Sequence, residues 1–177
     1  MNTLEAIYSR RSIRNFNGEA ITDDEMREIL NSAYAAPVGR AMYDTLAMSV
    51  ITNGELLAEW EKLMADAVGN PDMHPFYGAP AVILVSSVIP PEQDGNVNYS
   101  NAAILVQNMA LAATELGVGA CHIWGAVRVL SGNEKFAEEL KVPAGMKPCC
   151  AIALGHFDGS YEPREVAQAR IKTEYVG

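Results

Sequence analysis

One segment of this sequence constrains the fold more than any other, because it reads as a helix that is apolar on nearly every face. The helix is predicted from about Tyr99 to Leu116 and contains NAAILVQNMALAATELG, with Gly117 as a natural residue to end it. Such a helix has to be buried on most of its surface. In a chain of 177 residues, the segment therefore indicates a central core helix, a subunit interface, or both.

Four further apolar segments have the length and the boundaries of buried strands. They are residues 46–51, 81–88, 118–124 and the run CCAIALG that ends at Gly155. Helices are predicted after the capping residues Thr3, Thr22, Asn53 and Asn133. Because there is no internal repeat and no long linker, we expect a single domain over residues 1–177 with an α+β, three-layer α/β/α architecture.

The composition excludes several classes of partner. Lys and Arg number 13 against 22 Asp and Glu, which gives a formal net charge of −9. Nucleic acid is not an expected partner, because binding it requires a broad basic face. The first residues, MNTLEAIYSRR, do not form a signal peptide, and no apolar run reaches the length of a membrane span. We therefore expect a cytoplasmic protein with no membrane partner.

Motifs for metal binding and for nucleophilic catalysis are missing from the sequence. The histidines stand far apart, and no Cys/His pair has the spacing of a zinc site. Cys121, Cys149 and Cys150 form an odd set that indicates reduced, buried thiols rather than a disulfide framework. There is no G-x-S-x-G and no catalytic cysteine signature. Neither a metal site nor a hydrolase is expected.

A group of cations lies near the N-terminus of this acidic chain. The stretch IYSRRSIRNF carries Arg10, Arg11, Ser12 and Arg14. One interpretation is a solvated charge cluster at the end of the first helix, where cations complement the helix dipole. The other is a phosphate site, because arginine forms forked contacts with phosphate and Ser12 adds a hydroxyl donor. Arg170 would complete such a pocket if the C-terminal tail folds back.

Trp124-Gly125, at the end of a predicted strand, is the second position of interest. A core tryptophan beside a turn glycine is one explanation. A binding site is the alternative, because a glycine allows a flat ligand to approach its backbone amide and strand ends commonly bind ligands.

Five motifs, in order along the chain, resemble those of the FMN-dependent nitroreductase family. IYSRRSIRNF resembles the family's N-terminal R-x-S-x-R/K phosphate motif, and ILNSAYAAP resembles its second helix, which ends in Ala-Pro. YGAPAVILV is similar to the strand entered through Ala-Pro, and LVQNMALAATELGVG is similar to the long central helix. RIKTEYV is similar to the basic C-terminal stretch. The resemblance covers most of the chain.

The resemblance implies an FMN-dependent nitroreductase-like fold, in which helices flank a central mixed sheet and two chains form an intertwined homodimer. The tail, from about residue 160 to 177, would pack on the core or on the partner subunit. Two flavin sites would lie at the subunit interface, which agrees with the excess of apolar residues on the long helix.

The resemblance also implies which residues bind the FMN phosphate. Arg10, Arg11 and Ser12 would hold it, and Arg170 would join them from the tail. Arg14 would lie nearer the ribityl chain or the N1/O2 edge of the flavin. The cations would then be gathered to bind one phosphate dianion.

Two other segments are implied to contact the flavin ring. Ile123, Trp124 and Gly125 match the segment that flanks the isoalloxazine, with the Gly125 amide placed to hydrogen-bond N5. The loop residues that match the family's cover over the flavin, contributed by the other subunit, are Pro37, Val38 and Gly39.

The implied activity is a ping-pong transfer of two electrons. NADH or NADPH would give a hydride to flavin N5 and leave, and an oxidised acceptor such as a nitroaromatic compound or a quinone would then take the electrons. No side-chain acid or base is required. This small-molecule reaction needs no macromolecular partner beyond the second subunit.

The loop PVGRAMYDT departs from the family pattern P-S-x-x-N-x-Q-P-W. Val38 replaces the serine, Ala41 the asparagine and Tyr43 the glutamine. Fewer polar contacts to flavin and substrate are therefore available. The competing hypothesis is a flavin-binding or flavin-storage protein, or a dimeric interaction module, without NAD(P)H turnover.

Overall fold

Six α-helices and four strands build the fold in a computed structural model, which describes residues 1–167 and 170–177. The helices are α1 (Thr3–Ser9), α2 (Asp23–Tyr34), α3 (Gly54–Val68), α4 (Asn96–Leu116), α5 (Gly125–Arg128) and α6 (Glu134–Glu139). The strands are β1 (Leu46–Ile51), β2 (Ala81–Val88), β3 (Gly119–Ile123) and β4 (Met146–Gly155). Two short 3₁₀ turns, Gly39–Ala41 and Tyr43–Thr45, precede β1.

The sheet has the strand order β1-β2-β4-β3, and every pair of neighbouring strands is antiparallel. The expectation of a mixed sheet is therefore wrong for the described strands. β2 and β3 do run in the same direction, but β4 lies between them and is antiparallel to both. No parallel ladder can form in this order.

Helices cover both faces of the sheet, as the expected three layers require. Ile83 and Val85 of β2 pack on one face with α2 and α4, whereas Val82 and Leu84 pack on the other with α3, α5 and α6. All four side chains are fully buried. The first five residues of β2, AVILV, are apolar without alternation because both faces of the strand are covered.

Helix α4 is the central element of the first layer. It begins at Asn96, three residues before the predicted start, and Gly117 ends it with φ of 75° as predicted. Met109 and Ala110 have no exposed surface, whereas Ile104 is 36% exposed in the single chain. The chain's own core therefore covers one side of the helix and leaves part of the other side uncovered.

Buried polar contacts fix α4 to the sheet. The Asn98 side chain donates to the Val88 carbonyl at 2.7 Å and to the Ser87 hydroxyl at 3.2 Å. On the other face, the Trp60 indole N–H donates to the Ala126 carbonyl at 2.7 Å and holds α5 against α3. Asn98 is next to Tyr99 and Ala126 is next to Gly125, so both contacts lie at one end of the site described below.

Most predicted element boundaries are confirmed, and the differences have local causes. Thr22, Asn53 and Asn133 cap their helices as predicted, but α1 is capped by Asn2 instead of Thr3. Strand β3 is shorter than the predicted 118–124, because Val118 N–H still bonds to the end of α4 and Trp124 already leads into α5.

None of the described helices is both long enough and apolar enough to cross a bilayer. The thiols of Cys121, Cys149 and Cys150 are all free.

Replacement of Met109 by alanine tests the central position of α4. Met109→Ala removes a buried side chain and leaves a cavity, so we expect the free energy of unfolding to fall by about 2 to 5 kcal/mol. Urea denaturation measures this loss. Glu59→Ala, on an exposed part of α3, is the control and should change stability by about 0.5 kcal/mol or less. Equal losses in the two variants would contradict the packing described.

Candidate functional site

The arginine segment is extended, and it lies against the start of β3. Helix α1 ends at Ser9, so Arg11 and Arg14 lie beyond it and cannot serve as its last turn. Ile13 is buried, and its N–H donates to the Ala120 carbonyl at 2.9 Å. Arg10 is the C-cap of α1, and Arg11 and Arg14 are exposed, which agrees with a solvated charge cluster; only the interaction with the helix dipole is lost for Arg11 and Arg14. The backbone between them is anchored to the sheet.

Arg10 is half-buried and lies beside a second cation, Arg164. Partial burial lowers the pKa of Arg10, and the positive charge of Arg164 lowers it further. Arg164 itself is exposed, so the cost falls on the half-buried Arg10, and a bound anion would offset it.

The C-terminal segment is held in place by Tyr161. Its ring is buried, and its hydroxyl donates to the Val118 carbonyl at 3.0 Å. The Arg11 guanidinium lies 5.8 Å from the centre of that ring and donates to the Ser160 carbonyl at 2.6 Å. Arg164 follows, and its N–H donates to the Tyr8 carbonyl at 3.2 Å. The chain end thus returns to the arginine segment.

Sequence reasoning missed Arg164 and chose Arg170 as the contribution of the tail. Arg164 and Arg170 are both exposed, but Arg170 lies six residues beyond the anchored stretch and is not among the charges that act on Arg10. The sequence signal that could have pointed to Arg164 is SYEPR, in which Tyr161 precedes the arginine by three residues. Nothing local to that stretch shows that its tyrosine is buried.

Ser12 and Arg14 lie around the thiol of Cys121 in β3. Burial raises the pKa of Cys121, while Arg14, Ser12 and Arg10 act in the opposite direction. The Arg14 guanidinium lies 5.8 Å from the centre of the Tyr77 ring. The structure therefore gathers all four N-terminal candidates at the start of β3.

We call Arg10, Arg11, Arg14 and Arg164 the cation cluster. Within residues 1–167 and 170–177, none of these four arginines forms an ion pair with a carboxylate. Arginines bind phosphate through charge-assisted, often bidentate hydrogen bonds. The donor set fits a small dianion such as a phosphate monoester. The same described residues contain no group of three or more His, Cys, Asp or Glu suited to a metal ion.

The second half of the candidate site follows at the end of β3. Ile123 is buried, whereas Trp124 is 58% exposed and packs edge-to-face on Tyr99 with 6.5 Å between ring centroids. Gly125 is the first residue of α5, so its N–H has no partner within the helix. A side chain there would come within 3.3 Å of Met64 Cε. An exposed aromatic ring and a free amide thus lie side by side.

The loop Pro37–Gly39 is not brought to this place within one chain. Val38 is buried with α2 and α4, and Gly39 N–H donates to Asn101 Oδ1 at 2.9 Å. Asn101 and Tyr99 are two residues apart on α4, about 200° around the helix, so the loop and Trp124 lie on different sides of it. A ligand bound beside Trp124 could be covered by this loop only if a second chain supplied it. The contribution of Pro37, Val38 and Gly39 to the site therefore stays a prediction.

A family profile described as "Nitroreductase family" matches residues 7–156. The chain belongs to the nitroreductase family.

Solved structures from the nitroreductase family share the fold. A nitroreductase with bound FMN from Desulfitobacterium hafniense DCB-2 has a TM-score of 0.83 at 29% identity, covering 99% of this chain and 100% of that one. A nitroreductase with bound FMN from Bacteroides fragilis has a TM-score of 0.81 at 26% identity, with 99% and 100% covered.

A curated relative of this nitroreductase-family chain is the FMN reductase (NADPH) of Bacillus subtilis. It is 26% identical over 166 residues, which are 88% of this chain and 66% of that protein. The chain thus spans about two thirds of that relative's length.

We expect Tyr161→Ala to release the anchored C-terminal stretch. The variant loses both the hydrogen bond to Val118 and the ring beneath Arg11, whereas Tyr161→Phe loses only the hydrogen bond. Limited digestion with trypsin, read by mass spectrometry, should show faster cleavage after Arg164 in the alanine variant. Cleavage after Lys172 in the exposed end is the internal control. An unchanged rate at Arg164 would rule out Tyr161 as the anchor.

Proposed function

We propose that this nitroreductase-family chain is an FMN-dependent oxidoreductase that takes electrons from NADH or NADPH and passes them to a small oxidised acceptor. The observation that carries the proposal is the cation cluster, because the half-buried Arg10 lies beside the exposed Arg164 and neither pairs with a carboxylate among the described residues. FMN carries a phosphate that such a cluster suits. The relatives with bound FMN support the choice of this phosphate compound.

Two groups of residues would hold the cofactor at its two ends. Arg10, Arg11 and Arg164 would bind the phosphate together with the Ser12 hydroxyl, and Arg170 remains a further candidate. At the other end, Ile123, Trp124 and the free amide of Gly125 would adjoin the flavin ring. Strand β3 joins the two groups, since Cys121 and Gly125 are only four residues apart along the chain.

Bound FMN supplies the transfer of two electrons, so the chain does not need a nucleophile or a proton donor of its own. The pKa values of the three cysteine thiols agree with the absence of a protein nucleophile. Burial raises the pKa of Cys149 to about 11 and that of Cys150 to about 12, and it also raises the pKa of Cys121. All three are therefore neutral and unreactive at neutral pH. The role of the protein is to bind, to orient and, through the charge of Arg14, to stabilise negative charge nearby.

We also propose that the active form is an intertwined homodimer. Three observations support this: the uncovered side of α4 at Ile104, the exposed apolar side chains of α1, and the exposed end of the chain. Tyr175 and Val176 are each 97% exposed, which is unusual for such residues. The second chain would bring Pro37, Val38 and Gly39 to the flavin. The domain would then comprise residues 1–177, with the tail from about residue 160 resting partly on its partner.

A flavin-binding protein without turnover is the second candidate function. The loop before β1 supports it, because Val38 is packed in the core and the Tyr43 hydroxyl is used for a hydrogen bond to the Ala36 carbonyl at 3.2 Å. Few polar groups of this loop remain for a substrate. An inert flavoprotein and an enzyme would share the same cation cluster and differ only in turnover.

Retention of FMN tests the cation cluster and separates Arg164 from Arg170. We expect Arg10→Ala and Arg164→Ala each to weaken FMN binding roughly tenfold to a hundredfold, because each removes a charge-assisted contact. Arg170→Ala is the matched variant in the exposed tail and should change binding much less. Binding is measured by fluorescence titration of the apoprotein with FMN. Wild-type affinity in Arg10→Ala would remove the basis of the proposal.

Turnover distinguishes the enzyme from the inert flavoprotein. We expect the FMN-loaded protein to oxidise NADH or NADPH in the presence of a quinone or a nitroaromatic compound, as followed by absorbance. Anaerobic addition of NAD(P)H should bleach the bound flavin first. A protein that retains FMN but is not reduced by either nucleotide would establish the second candidate instead.

A further inference from the structure

A cavity of about 480 Å³ opens beside Trp124, outside the cation cluster. It lies between the first turns of α4, the two short helices α5 and α6, and the beginning of β4. Its volume falls within the range of small-molecule sites, roughly 300 to 1,000 Å³. Tyr99 and Trp124 form an aromatic wall, and the apolar residues that line the remainder include Val127, Leu130, Ala137 and Met146.

The charged residues of this cavity favour an anion. Arg128 and Lys147 line it together with one acidic residue, Glu134. All three are exposed, and they form no ion pair with any residue that the structure describes. Cys149 also lines the cavity, and burial raises the pKa of its thiol to about 11, so it adds no negative charge at neutral pH. The local balance is positive in a chain whose net charge is −9.

We propose that this cavity binds a planar aromatic monoanion, such as an aromatic carboxylate, and that such compounds are the preferred electron acceptors. The flat apolar part would pack on Tyr99 and Trp124, since aromatic rings favour offset or edge-to-face contacts. The carboxylate would face Arg128 and Lys147. The acceptor role rests on the proposed function, because Trp124 is the residue that the cavity shares with the expected flavin site.

The charge balance decides between a monoanion and a more highly charged ligand. A pyrophosphate or a phosphate dianion would meet only two cations here, with Glu134 opposing them. The cation cluster, in contrast, has four arginines, and none of them pairs with a carboxylate in the described part of the chain. The cavity and the cation cluster are therefore suited to different ligands, and a nucleotide phosphate suits the cation cluster.

The test uses 4-nitrobenzoate and its neutral counterpart, 4-nitrobenzamide, which differ chiefly in charge. We expect calorimetric titration of the FMN-loaded protein to show 4-nitrobenzoate binding at least tenfold more tightly. Arg128→Ala and Lys147→Ala should each weaken 4-nitrobenzoate binding about tenfold and leave 4-nitrobenzamide within about twofold. Glu134→Gln should strengthen 4-nitrobenzoate binding severalfold, a change of opposite sign that loss of structure cannot produce.

Lys135→Ala is the control for general charge effects. Lys135 is an exposed cation on α6 next to Glu134, and it does not line the cavity. The control should leave both affinities unchanged. Equal binding of the two compounds to the wild type, or equal losses in Lys135→Ala and Lys147→Ala, would overturn the inference.

Binding and turnover separate this inference from the proposed function. If NAD(P)H turnover fails while 4-nitrobenzoate still binds with the expected variant pattern, the cavity stands as a binding site and only its acceptor role is lost. If turnover proceeds with the same KM for both compounds, the enzyme stands and the anion preference is wrong. A higher KM for 4-nitrobenzoate in the Arg128→Ala and Lys147→Ala variants, at unchanged kcat, supports the full inference.

Discussion

Burial of α4 against the sheet is the constraint on which the remaining structure depends. Small residues such as Ala102, Ala110 and Ala113 have no exposed surface, so the helix axis can approach its neighbours closely. The hydrogen bonds from Asn98 to Ser87 and Val88 of β2 fix the position of the helix relative to the sheet. With the helix placed in this way, Gly39 is held on one side of its first turns and Trp124 on another. The same element therefore determines which parts of a site one chain can supply.

Charge is distributed unevenly in this molecule, and that distribution matters more than the net value. The chain is strongly acidic, yet its carboxylates do not pair with the cation cluster in the part of the chain that the structure describes. Of these arginines Arg10 is half-buried, which makes its charge costly without a partner, and an anionic ligand would offset that cost. Stability and ligand binding are therefore coupled at Arg10 and Arg164.

Local signals in the sequence were sufficient for most of the fold. β1 and β2 have the predicted bounds, and three helices begin at their predicted caps, because caps and apolar runs act over a few residues. Strand order is a long-range property, and the insertion of β4 between β2 and β3 could not be inferred locally. For the same reason Arg164 was missed: its position depends on the contact between Tyr161 and Val118, which are distant in the sequence.

The fold-back at Tyr161 also determines when the cation cluster can form. Arg10 leaves the ribosome before all four strands, and Arg164 leaves it after them. The sheet and α4 can assemble from residues that have already emerged, but the two arginines meet only after the last strand, β4, has been synthesised. An anion held by both therefore cannot guide the early stages of folding. The chain has to reach its native layers first and acquire such a ligand afterwards.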